Sequence, residues 1–159
     1  MDTIAATTET KPRKSSILNT TRLSHGTCMV ANLKDSRKFY EEFLGLEVVR
    51  HGERSMMFRL GTGMHVVCVE TKPERLWDMH VLHHWGVDLE SREEVDAAHR
   101  KAVEFKEAYG IRKIQRPVDQ HGVYSFYLQD RDKNWWEIQH ADHQNERAFA
   151  RGDVYPMGD

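Results

Sequence analysis

Along the chain the spacing of apolar positions switches from strand-like to helix-like and back, and it does so twice in the same order. From Leu23 the stretch SHGTCMV reads as a strand, with alternate side chains on opposite faces. The next segment, DSRKFYEEFLGL, puts Phe39, Tyr40, Phe43 and Leu44 on one helical face. Asp35 is its expected cap and Gly45 its left-handed stop. Three short runs of strand formers follow: LEVVRHG, SMMFRLG and MHVVCVE, the last two joined by the Gly-Thr-Gly turn at Gly61 to Gly63. Residues 71 to 79, with Pro73, break the pattern and read as a connector. Then the order returns. HHWGVDLE reads as a strand, and SREEVDAAHRKAVEFKEAYG as a helix with Val95, Ala98, Ala102 and Phe105 on one face. Ser91 with Glu94 makes a capping box, and Gly110 closes the helix. IRKIQRPV, GVYSFYLQD and NWWEIQH supply three more strands, the last pair turning at Asp130 to Asn134.

The chain therefore reads β-α-β-β-β twice. His25-Gly-Thr-Cys-Met-Val overlays His84-Trp-Gly-Val-Asp-Leu, and Phe58-Arg-Leu overlays Phe126-Tyr-Leu. The expected fold is α+β: two βαβββ repeats forming an incomplete barrel, or cup. Residues 1–19 read as a flexible arm, 20–140 as a single domain with repeats at 22–72 and 80–140, and 141–159 as a polar tail.

Composition narrows the function. A chain of 159 residues, 39% hydrophobic and 30% charged, has the balance of a soluble globular domain. A formal charge of −2 lacks the basic excess that a nucleic-acid or anionic-membrane surface needs. No apolar run approaches the roughly 18 residues of a membrane span. The N-terminal stretch lacks the apolar core of a secretory signal, so a cytoplasmic location is expected. Two cysteines, Cys28 and Cys68, are too few for a disulfide framework or a thiolate zinc site and read as buried small hydrophobes.

Among ten histidines, position singles out two. His25, Thr27 and Met29 share one face of the first strand, and His84, Gly86 and Asp88 share the matching face in the second repeat. His83 points the opposite way to His84. If the repeats pack about a pseudo-twofold axis, the two imidazoles face one cavity. Glu137 lies between Trp136 and Ile138, whose side chains take the packed face, so its carboxylate points into the cup, where burial needs a cation or a partner. Two histidines and a carboxylate make a facial triad suited to Fe(II), and usable by Mn(II), Zn(II) or Ni(II).

Two stretches carry a resemblance: HGTCMVANLKDSRKFYEEFLGL from His25, and SFYLQDRDKNWWE from Ser125 to Glu137. They resemble the vicinal-oxygen-chelate superfamily, which includes glyoxalases, extradiol dioxygenases, fosfomycin-resistance enzymes and bleomycin-binding proteins. The resemblance spans residues from about 22 to 140. It implies a metal at His25, His84 and Glu137 and a small chelating substrate. His121, Phe126-Tyr127, Asp130 and Glu137 are similar in placement to the closing motif of extradiol dioxygenases. That implies Fe(II), a catechol-like diol and O₂ as reactants, His121 as acid/base and Tyr127 as a hydrogen-bond donor to the substrate. Arg131 and Lys133 depart from that motif, and the interval from His121 to Phe126 is one residue short. The first-repeat counterpart of Glu137 falls at His65 or Val66. Val66 leaves three protein ligands, whereas His65 would be a fourth, resembling the glyoxalase or epimerase branch with Zn(II) or Ni(II). The alternatives to ring cleavage are therefore a metal-dependent lyase, isomerase or thiol transferase, or a metal-free drug-binding protein. Trp135 is expected on the cup face with Glu137, and Trp85 on the outer face with Val87. Open sheet edges point to self-association, with the repeats pairing either within one chain or between chains.

Overall fold

A computed structural model describes residues 17–18, 22–120, 122–141 and 149–151. The predicted arm and tail lie almost wholly outside them, and His121 lies outside them as well.

The order of elements is the predicted repeat. The first module runs β1 (His25–Val30), α1 (Leu33–Lys38) with a π-helical turn (Phe39–Phe43), β2 (Glu47–Gly52), β3 (Ser55–Arg59) and β4 (His65–Glu70). The second runs β5 (His84–Asp88), α2 (Arg92–Glu104), α3 (Lys106–Tyr109), β6 (Lys113–Ile114), β7 (Val118–Gln120), β8 (Val123–Gln129) and β9 (Trp135–Ala141). Each module folds into its own sheet, in the order β1-β4-β3-β2 and β5-β9-β8-β6, with β7 also paired to β8. Neither sheet closes into a barrel. In both, the first strand pairs in parallel with the last and so occupies an edge. Among the described residues no helix is long and apolar enough to cross a membrane.

Four details differ from the sequence reading. The cap of α1 is Asn32, whose side chain accepts from the Asp35 backbone N–H; Asp35 itself lies inside the first turn. The helix then widens, with Leu44 N–H reaching the Phe39 carbonyl (3.1 Å) and Leu46 N–H the Tyr40 carbonyl (2.9 Å). The second helix breaks at Phe105 into α2 and α3, Ser91 caps α2 through Glu94 N–H, and Gly110 ends α3 at φ +67°. The run IRKIQRPV divides into β6 and β7 around Pro117, which has no N–H to give to a ladder.

The helices cover one face of the sheets, and there the core forms. Cys28, Val30, Met56, Phe58, Val66 and Cys68 from the first sheet share it with Phe126, Leu128, Trp136 and Ile138 from the second. Tyr40 links the modules: its ring lies 4.6 Å from Phe58 and 5.6 Å from Trp136, and all three are buried.

The turn between β8 and β9 fastens the seam. Asp130, fully buried, accepts from the backbone N–H groups of Asp132 and Asn134, from the Trp136 indole and from the Tyr40 hydroxyl. Asp132 reaches across to the first module, accepting from Ala31 N–H (2.8 Å) and the Ser36 hydroxyl. Asn134 donates to the Met29 carbonyl at 3.1 Å. The end of β1 is thus tied to the turn that launches β9.

Trp85 does not lie on an outer surface. Its ring fills the space over Gly26, where a Cβ would come within 2.0 Å of Cη2. Glycine at 26 is what allows the first strands of the two modules to approach.

Candidate functional site

Alternation along β5, β8 and β9 sets the site. Trp85, Val87, Phe126, Trp136 and Ile138 take the helix side, so His84, Ser125, Tyr127 and Glu137 share the opposite face. The β8–β9 register puts Tyr127 opposite Glu137, and the β5–β9 register puts Gly86, two residues beyond His84, opposite the same carboxylate.

The structure brings His84 and Glu137 together, Nε2 to Oε2, at 3.1 Å. Both side chains are largely buried, keeping 24% and 13% of their exposure. The other atoms of each are already committed. Nδ1 of His84 stands 2.7 Å from the Val81 carbonyl, and because a carbonyl can only accept, Nδ1 carries the proton. Oε1 of Glu137 accepts from the Ser125 hydroxyl at 2.7 Å. A neutral His84 therefore turns a lone pair toward a carboxylate oxygen. That arrangement is stable only with a cation between the two, either a proton on Nε2 or a metal ion.

Tyr127 completes this corner. Its ring meets His84 edge-on at 5.0 Å between centroids, and its hydroxyl accepts from Gln120 Nε2 at 3.3 Å. Burial, followed by its hydrogen bond to Glu137, pushes the phenol up to about 12. At neutral pH Tyr127 is a donor. A cavity of about 400 Å³ opens beside His84, lined in part by Thr27, Met29, Trp77, Met79 and Leu82. Trp135 is buried on the same face as Glu137, and its indole donates to the Met79 carbonyl at 2.8 Å, which holds the connector down. It is a packing residue.

His25 sits elsewhere in this chain. It stacks on His65 with ring centroids 5.6 Å apart, and its Nδ1 lies 2.8 Å from the Ser24 hydroxyl. Among the described residues no three His, Cys, Asp or Glu side chains gather into a set that could hold an ion. His65 pairs directly with His25 across β1 and β4, as Trp135 pairs with His84 across β5 and β9. The first-module counterpart of Glu137 is two residues further along, at Val67, and is neither His65 nor Val66. The shortened turn at Gly61 to Gly63 hid that register in the sequence.

Three supporting groups escaped the sequence reading. Ser125 was within reach of it, two residues before Tyr127 on one face of β8. The Val81 carbonyl and Gln120 depend on loop geometry that carries no residue-type signal.

Other proteins share this arrangement of elements. The genomically encoded fosfomycin resistance protein FosX from Listeria monocytogenes matches with a TM-score of 0.58 at 24% identity, over 79% of this chain and 97% of that one. Lactoylglutathione lyase from Agrobacterium tumefaciens matches with a TM-score of 0.55 at 18% identity, over 77% and 95%. A glyoxalase/bleomycin resistance protein/dioxygenase from Alicyclobacillus acidocaldarius matches with a TM-score of 0.52 at 18% identity, over 77% and 92%. At these identities the likeness is one of fold. No curated protein is significantly similar to the chain. The family model for the Glyoxalase/Bleomycin resistance protein/Dioxygenase superfamily, however, matches residues 22–138, which takes in both modules and the whole of the His84–Glu137 corner. With the paired βαβββ sheets and the closing SFYLQDRDKNWWE strand pair in place, the chain belongs to that superfamily, the vicinal oxygen chelate proteins.

Proposed function

We propose that the chain is a divalent-metal enzyme whose ion is held by His84 Nε2, Glu137 and His25, with His25 supplied by a second copy of the chain. The observation that carries this reading is the 3.1 Å approach of His84 Nε2 to Glu137 Oε2 with the His84 proton committed to Val81. The donor set fits a borderline or hard divalent ion: one imidazole nitrogen and one carboxylate, each oriented by a further hydrogen bond. The need for a second copy rests on His25, which stacks on His65 within its own chain while β1 lies at a sheet edge. When bound, the ion supplies Lewis acidity and open positions for two neighbouring oxygens of a small chelating substrate.

The chain's own residues do the rest. Val81 and Ser125 fix the two ligand side chains, so no reorganisation is needed when a substrate arrives. Tyr127, held neutral, has a single proton that it now shares with Glu137, and with that carboxylate bound to a metal the proton is available to a substrate oxygen that gains negative charge. That donor beside the pair favours extradiol-type cleavage of a catechol-like ring by O₂, with Fe(II) as the ion and His121 as the acid/base. A second reading is a Zn(II)-, Ni(II)- or Mn(II)-dependent lyase, isomerase or thiol transferase. It is supported by the polar face around the pair, where Ser125, Gln120 and the linked Asp88 and Gln139 offer hydrogen bonds to a polar substrate.

Anaerobic reconstitution with Fe(II), Mn(II), Zn(II) or Ni(II), followed by metal analysis, tests the site. Stoichiometric iron with oxygen uptake on substituted catechols supports ring cleavage. Zinc, nickel or manganese without oxygen uptake supports the second reading. Loss of all metal binding to the wild-type chain refutes both and leaves a metal-free binding protein. Subunit mixing tests the second copy: a His25→Ala chain mixed with a His84→Ala chain regains metal binding only if ligands come from two chains.

A further inference from the structure

The chain has two cysteines in all, and the fold pairs them. Cys28 on β1 and Cys68 on β4 are register partners in the parallel ladder. Their side chains leave the sheet on the same, helix-covered face, and both are buried and reduced. The Sγ atoms are 3.0 Å apart. Neighbouring strands lie about 4.8 Å apart, inside the Cα range of about 4.4–6.8 Å that a disulfide spans. The sulfurs have about 1 Å to close from here to the roughly 2.0 Å of a disulfide.

We propose that Cys28 and Cys68 are a reversible dithiol–disulfide pair, closed within one chain by a peroxide oxidant. Cys28 is the cysteine nearer to solvent: it keeps 7% exposure against 0% for Cys68, and its residue borders the cavity beside His84, whose rim residues Trp77 and Leu82 are exposed. The Cys28 sulfur takes an oxygen from hydrogen peroxide, becoming a sulfenic acid and releasing one water. The Cys68 sulfur then displaces that hydroxyl, forming the S–S bond and releasing a second water. Two thiols lose two protons and two electrons, and the peroxide is reduced to water. A thiol reductant reverses the step. The hydrogen bond shared with Cys68, and then burial, hold the Cys28 thiol well above its ordinary range, so the reaction is slower than that of an exposed cysteine. Closure fastens β1 to β4 three residues downstream of His25 and His65, fixing the strands that carry them, whether or not His25 binds a metal.

The test uses the full-length chain. After exposure to hydrogen peroxide and quenching, thiols are counted in denaturant, and tryptic fragments holding positions 28 and 68 are mapped without reduction. The expected result is a fall from two thiols to none, recovery of both on adding a reductant, and one linked peptide pair in a chain that runs as a monomer. In Cys68→Ser the reaction stops at a Cys28 sulfenic acid that dimedone traps. Two thiols remaining after prolonged oxidation, covalent dimers, or irreversible sulfinic acid in the wild type would each overturn the proposal; the peptide map alone decides the matter if the variant does not fold.

Discussion

Placing a single methyl group at position 26 should cost stability, and the cost should vanish when Trp85 is made smaller. An alanine Cβ there would lie 2.0, 2.7 and 3.1 Å from three ring atoms of Trp85, against ordinary contact from 3.4 Å. The ring must retreat by about 1.4 Å at its far edge, and a half-buried indole between two strands can do so only by disturbing its neighbours. Overpacking of this kind costs about 1–3 kcal/mol. Alanine recovers about 0.5–1 kcal/mol in a strand, because glycine loses more conformational freedom on folding. The central value of the net loss for Gly26→Ala is therefore about 1 kcal/mol, with an upper bound of about 2.5 kcal/mol, or a fall of about 2–4 °C in melting midpoint at the central value. In a Trp85→Leu background the space is open, and the same substitution should become stabilising by up to about 1 kcal/mol. Thermal and urea melts of the four chains in this cycle measure both values. A neutral Gly26→Ala, or one with equal cost in both backgrounds, would show that Trp85 is not what the glycine accommodates.

Ser125→Ala removes a fully buried donor to Glu137 Oε1, and should weaken metal binding about 10–100-fold, read by competition with a chromogenic chelator, alongside a stability loss of about 1–3 kcal/mol. Asp132→Ala strands the Ala31 N–H at the module seam, while the Ser36 hydroxyl keeps the Asn32 carbonyl, and should cost about 1–3 kcal/mol in urea unfolding. Asp130 has its carboxyl pushed up to about 7 by burial, with Asp132 beside it adding to the effect. Between about pH 4 and 7 the folded chain then holds a proton that the unfolded chain has released, so this group's contribution to stability is fully present at the acid end and lost as pH rises through 7. Asp130→Asn should flatten that fall in a pH series of melts, and an unchanged slope would assign the dependence to other groups.

Much of this molecule was legible in its sequence because the repeat is written in period and punctuation. The two opening histidines, the Ser91 cap and the stops at Gly45 and Gly110 follow from local rules, and each residue's own chemistry announces them. Glu137 was legible for a different reason: flanked by Trp136 and Ile138, it had to point away from the packed face. What was hidden depends on partners distant in sequence. Nothing local makes β1 choose β4, yet that choice moves the counterpart of Glu137 to Val67. Nothing local places Trp85 over Gly26, which depends on how the modules meet, or His25 beside His65, which follows from the same β1–β4 pairing. The widened turn at Phe39–Phe43 hid for a related reason: its value is tertiary, delivering both Phe39 and Tyr40 to the seam.

The pairing of first strand with last also bears on how the chain is made. On the ribosome β1 emerges with no neighbour, and Cys28 must wait 40 residues for Cys68 before its strand can join a ladder. In the second half Asp88 waits 51 residues for Gln139. Such long waits give slow, non-local folding and leave nascent edges bare during synthesis. The first half can finish its sheet while the second is still being translated, but the turn that sews them together arrives almost last. Until residues 130–134 emerge, the two halves have no stitch between Asp132 and Ala31 or between Asn134 and Met29. During that interval a half belonging to a neighbouring nascent chain can compete for the same place.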